Sequence, residues 1–188
     1  MVADPPGEEE IRSLVERAAR ADADAFGRLY DMYVDQVYRF ALFRLGNSHD
    51  AEDVAEQTFV KAFEAIGRYR WRNVPFSAWL FRIARNLVTD EFRKRGRTSE
   101  VDLAEVAPVM QAPGGTHEEV EARLWAVRLH AALEELTEDQ RTVVLLKFFG
   151  GLSNVEVAKV IRKNEGSVKS LQHRALAALG RLLEEGER

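Results

Sequence analysis

The run Arg68–Arg97, RYRWRNVPFSAWLFRIARNLVTDEFRKRGR, limits this chain most. It holds nine Lys/Arg and two acids, a local balance of +7 in a chain whose net charge is −4, so the remaining residues sum to −11. Tyr69, Trp71, Phe76, Trp79, Phe81 and Phe92 are set among the cations. Cations attract phosphates and flat rings stack on unpaired bases, so the composition fits a surface that holds single-stranded nucleic acid. It equally fits an amphipathic helix with a solvated basic face. The stretch alone does not choose between them.

The charge elsewhere is uneven. Residues 1–67 sum to −7, 98–136 to −6 and 137–188 to +2. Alternation of this kind points to separate surfaces, acidic for a protein partner and basic for nucleic acid. With 188 residues and a 46% apolar fraction, the chain can build one or two real cores. It has no Cys, hence no disulfide, thiol nucleophile or Cys-ligated metal. The acidic start MVADPPGEEE has no apolar h-region, and no window reaches the roughly 18 apolar residues of a membrane span. A soluble cytoplasmic protein without membrane insertion is expected.

Helical periodicity divides the chain into a leader (1–20), a first domain (21–97), a linker (98–120) and a second domain (121–186). In the leader, Ile11, Leu14, Val15 and Ala18 form a short helical pattern to which the sequence gives no role. The first domain opens with a helix from Asp22 or Asp24 to Gly46, with Phe26, Leu29, Tyr30, Tyr33, Val37 and Phe40 on one face. Asn47 or Ser48 opens the next helix, which turns Ala51, Val54, Ala55, Phe59, Ala62, Phe63 and Ile66 inward and ends at Gly67. Its first turns carry Asp50, Glu52, Asp53, Glu56 and Gln57. The helix dipole explains acids in one turn; a docking face for a basic partner explains why they continue. Pro75 and the extended bias on Val74 put Arg70, Trp71, Arg72 and Asn73 on a loop. The third helix, from about Phe76 to Lys94, has Phe76, Trp79, Leu80, Ile83, Leu87 and Val88 as core and Arg82, Arg85, Asn86, Thr89 and Arg93 as one outward stripe.

The linker, rich in Pro and Gly, reads as a flexible, mildly acidic connector. The second domain opens with a helix turning Leu124, Val127, Leu129, Ala131, Leu133 and Leu136 inward. Capping boxes follow at Thr137–Gln140 and Ser153–Glu156, then the turn Arg162–Asn164 and a last helix. A short capped helix, a tight turn and a longer helix make a helix-turn-helix. Ser167, Lys169, Ser170, Gln172, His173 and Arg174 lie on the outward side, with chemistry suited to phosphates and base edges. A plain αα-hairpin is the alternative, disfavoured by a non-acidic face on an acidic chain.

Two blocks resemble the extracytoplasmic-function group of bacterial sigma factors: Asp50–Tyr69 with Phe76–Lys94, similar to region 2, and Leu136–Ile161 with Gly166–Leu179, similar to region 4. The resemblance implies an all-α protein of two helical domains that binds core RNA polymerase and promoter DNA, without catalysis, cofactor or metal. It implies polymerase docking by Asp50, Glu52, Asp53, Glu56 and Gln57. It implies −10 recognition and melting by Arg70, Trp71, Arg72, Asn73, Arg82, Arg85, Asn86, Asp90, Arg93 and Lys94, with a flipped base held by the loop. The helix-turn-helix residues above would read the −35 element, the linker would thread toward the RNA exit path and active-site cleft, and an anti-sigma factor is a partner common in the family. Two departures stand out. Arg162 replaces the usual turn Gly, which predicts a looser turn or a phosphate contact, and Leu171-Gln172 replaces an Arg-Leu pair. The rival reading is a two-domain helix-turn-helix regulator whose first domain binds a ligand or partner. An enzyme is disfavoured, because the four His are scattered and neither an HExxH motif nor a P-loop is present.

Overall fold

Capping residues set the helix boundaries. Asp22 accepts from the Ala25 amide to start α2 (Ala23–Leu45), and Gly46, at φ 76°, ends it in the left-handed conformation. Asn47 accepts from the Asp50 amide and opens α3 (Ser48–Ala65). Gly67 does not close α3; a 3-10 turn, Ile66–Arg68, carries the chain onward. The computed structural model describes residues 7–71, 74–95 and 116–185. Arg72 and Asn73 of the expected −10 loop, residues 1–6 and most of the expected linker lie outside the described residues.

The described residues form eight α-helices and no strand, as expected. Besides α2 and α3 they are α1 (Glu8–Ala18), α4 (Phe76–Arg95), α5 (Thr116–Glu134), α6 (Glu138–Phe148), α7 (Asn154–Ile161) and α8 (Glu165–Glu185). The first four pack as one unit. The leader helix α1 belongs to it, burying Leu14, Val15 and Ala18 against α2. Helices α5–α8 form the second unit, and both expected capping boxes are present. Buried Arg141 ties the turn between α5 and α6 by donating to the Glu134 carboxylate and carbonyl.

Some faces differ from the periodic reading. Leu124 and Ala131 are exposed, while Ala126 and His130 point inward. Both faces of α5 carry apolar residues, so periodicity alone could not orient it. Neither ring nitrogen of His130 finds a hydrogen-bond partner among the described residues, and burial pulls its pKa down. On α3, Phe63 is exposed and packs edge-on to Phe26 at 5.0 Å.

The helix-turn-helix turn is tight despite lacking Gly. Arg162 adopts φ 58°, ψ 44°, and the Lys163 amide donates to the Ala158 carbonyl at 3.0 Å. A side chain in that region costs roughly 1–2 kcal/mol. Arg162→Gly should therefore raise the stability of the second unit by about 1 kcal/mol in denaturant unfolding. No gain would mean that the turn holds no strain.

Candidate nucleic-acid interface

Helix α4 is buried along two faces. Leu80 is buried, Phe76 meets Tyr33 of α2 at 5.6 Å, and Phe81 lies in contact with both units. Its ring meets Phe40 of α2 at 5.7 Å, and a Cβ added to Gly150 would come within 3.0 Å of Phe81 Cε1. The second unit packs on the first through α7 against α4 and α6 against α2. Phe43 stacks with Phe149 at 4.0 Å. Arg44 pairs with Glu138 and lies over the Phe92 ring at 4.6 Å, and the Ser77 hydroxyl donates to Glu156.

This packing corrects the expected outward stripe. Arg82 is half-buried and donates to the Lys159 carbonyl of α7 at 2.8 Å. Arg85 is half-buried too, and the Nε of each is buried without a hydrogen-bond partner among the described residues. The stripe is open only farther along. Asn86, Thr89, Asp90, Arg93 and Lys94 are exposed, with local ion pairs from Arg93 to Asp90 at 3.5 Å and from Lys94 to Glu91 at 3.3 Å. Exposed pairs of this kind hold weakly and can be exchanged for phosphate.

The described part of the loop before α4 is held by Tyr69, whose hydroxyl donates to the Val74 carbonyl at 2.6 Å. Burial pushes the Tyr69 hydroxyl up to about 12, so it stays protonated and keeps donating. Tyr69 packs on Trp79 at 4.9 Å and meets Trp71 edge-on at 6.4 Å. Trp71 and Trp79, expected outside and inside respectively, are both half-buried. Arg70 is exposed and donates to the Gly67 and Tyr69 carbonyls.

On α3, Glu52, Asp53, Glu56 and Gln57 are exposed along one acidic face. Asp50 is not among them. It is 7% exposed and accepts from the Asn47 side chain at 2.7 Å, so it belongs to the helix cap. On α8, Asn164 accepts from the Ser167 amide and starts the helix. Ser167, Ser170 and Arg174 line a groove of about 600 Å³ with Lys163. Gln172 does not join them. At 100° per residue it points about 140° away from Ser167 and is half-buried; Lys169, about 160° away and paired with Glu165 at 2.8 Å, does not join them either, while exposed His173 flanks the groove residues. Lys163, read in the sequence only as part of the turn and not as a site residue, was findable as a cation beside the helix start.

The chain matches the family model for Sigma-70 region 2 over residues 29–98 and that for Sigma-70 region 4 over residues 126–179. It is similar to the ECF RNA polymerase sigma factor BldN of Streptomyces coelicolor, at 42% identity over 95% of this chain and 67% of that protein. It is also similar to the ECF sigma factor SigW of Bacillus subtilis, at 32% identity over 93% and 97%. Among solved structures it resembles CnrH in complex with the cytosolic domain of CnrY, with a TM-score of 0.73 and 28% identity over 94% and 98%. None of the described helices is long and apolar enough to cross a membrane.

The stack of Phe43 on Phe149 holds the two units together, so Phe149→Asp should separate them. The radius of gyration from small-angle scattering should rise while the circular-dichroism helix signal stays constant. An unchanged radius would show that this contact does not hold the units closed.

Proposed function

The chain belongs to the extracytoplasmic-function group of sigma-70 factors, which recognise promoters for transcription initiation, and from that premise we propose how its surfaces divide the work. The exposed acids of α3, Glu52, Asp53 and Glu56, with Gln57 beside them, dock on a basic surface of core RNA polymerase. The loop at Arg70–Asn73 and the outward residues of α4 hold the melted −10 strand. The groove of Ser167, Ser170, Arg174 and Lys163 on the helix-turn-helix sits against the −35 duplex, with His173 beside it. The chain works beside polymerase in the cytoplasm and performs no bond chemistry.

The observation that carries the −10 assignment is the state of Arg82 and Arg85. A buried N–H without an acceptor costs roughly 1–3 kcal/mol. Two guanidinium groups with such an Nε sit one helical turn apart on α4. Strand phosphates supply charged acceptors at that spacing. The contact with α7 gives Arg82 one carbonyl, a poorer partner. The helix-turn-helix therefore covers part of the −10 surface in the closed chain and moves away when the strand binds. CnrH was solved with the cytosolic domain of CnrY, and the sigma factor RpoE of Bartonella quintana with the anti-sigma factor NepR. An anti-sigma factor that grips both units would keep this chain closed.

Two substitutions test the assignment separately. Asp53→Lys should weaken binding to core polymerase at least several-fold in a fluorescence titration; equal affinity removes the docking face. Trp71→Ala should leave closed-complex formation intact and lower permanganate reactivity of −10 thymines. Each lost base stack is worth roughly 1–3 kcal/mol, or about five- to a hundredfold in opening. Undiminished reactivity would detach Trp71 from melting.

A further inference from the structure

Arg44 lies in the last turn of α2 and has a partner in each unit. Its guanidinium pairs with Glu138 of α6 and lies 4.6 Å from the centre of the Phe92 ring of α4. The side chain is 10% exposed, although it is charged and stands at a helix end. Burial pulls its pKa down, and the charges that act on it come from the second unit: Glu138 and Glu134 attract it, and Arg141 repels it. Among the described residues, no carboxylate of the first unit pairs with it. Glu138 has other support within its own unit. It stands in the first turn of α6, where the helix dipole favours an acid, and accepts from the Thr142 hydroxyl at 3.3 Å. When the units separate, Glu138 keeps both of these. Arg44 keeps the Phe92 ring and the favourable end of the α2 dipole, but its N–H donors lose their one charged acceptor among the described residues.

Phe92 places Arg44 beside the stripe of α4. At 100° per residue, Arg82, Arg85, Thr89 and Phe92 fall within about 80° of one another, and Phe92 lies about 15 Å along the helix from Arg82. A guanidinium over that ring continues the cationic stripe from α4 onto α2. The second unit occupies this stripe at both ends in the closed chain: Arg82 donates to the Lys159 carbonyl, and Arg44 pairs with Glu138. We propose that Arg44 is a third arginine of the −10 surface, held by Glu138 in the closed chain and freed to bind a promoter phosphate when the units separate. A guanidinium presents the same planar set of N–H donors to a carboxylate and to a phosphate, so Glu138 stands where the phosphate oxygens will lie. The contact positions the DNA backbone and reads no base. It rests on the −10 reading of α4 given above.

The test uses holoenzyme assembled from core polymerase and the full chain, as wild type, Arg44→Gln, Arg44→Lys and Arg93→Ala. The probe is a forked DNA, single-stranded across the −10 element, taken from a promoter that the wild-type holoenzyme opens. Affinity is read by fluorescence anisotropy over a KCl series. Gln keeps part of the stem on Phe92 and removes the charge, and circular dichroism checks that both Arg44 variants keep the wild-type helix content. Arg44→Gln should bind several-fold more weakly, with a log–log salt slope shallower by about 0.7–0.9, the value of one phosphate contact. Arg44→Lys should keep the wild-type slope. An Arg44→Gln holoenzyme with the wild-type slope, or one that binds more tightly, overturns the proposal and leaves Arg44 as a clamp between the units. A loss of core-polymerase affinity in Arg44→Gln also overturns it, since an acid of polymerase would then take the guanidinium. If Arg93→Ala makes the slope shallower and Arg44→Gln does not, the −10 reading of α4 stands and only the role of Arg44 falls. If neither changes the slope, the reading of α4 falls with it.

Discussion

Burial of Phe81 is the contact on which the remaining geometry depends. A helix in a single four-helix unit needs one apolar face. Helix α4 has a second, because Phe81 packs on Phe40 from one side and on the Gly150 backbone from the other. An aromatic side chain of that size gains roughly 1.5–3 kcal/mol from complete burial. Gly150 permits the approach, since any Cβ there would also lie 2.7 Å from the Leu146 carbonyl oxygen. The polar contacts between the units, Arg44 with Glu138 and Ser77 with Glu156, surround this apolar centre.

The same contact ties recognition to conformation. Arg82 lies one residue beyond Phe81 and is brought to the Lys159 carbonyl by the packing that buries Phe81. Cations that suit a nucleic-acid strand are thereby partly used within the chain, with their Nε groups unsatisfied. Separation uncovers the face of α4 that α7 covers.

Much of the fold was legible because its signals are local. Asp22, Gly46, Asn47, Thr137 and Ser153 fix helix ends through bonds within four residues; the structure selects Asp22 over Asp24 and Asn47 over Ser48 and places the other three as read. The second buried face of α4 was not legible. Its spacing is compatible with solvent, and only the arrival of the second unit, with Gly150 against Phe81 and α7 against Arg82, makes Phe81 core and Arg82 a donor. Asp50 looked like one more acid of the docking face, and the cap at Asn47 takes it inward. Gln172 was grouped with Ser167 by adjacency in sequence, which helix rotation undoes. The leader helix carried no motif at all; its place beside Trp71 follows from packing between residues more than fifty positions apart.

The central claim is that the second unit occupies the −10 surface in the free chain and leaves it when the strand binds. A spin-label distance between Asn86 on α4 and Lys163 beyond α7, both exposed and each replaced by a labelled cysteine, tests this directly in a chain that has no other Cys. A single short distance is expected in the free protein and a longer one in the promoter-bound holoenzyme. The same short distance in both states would contradict it.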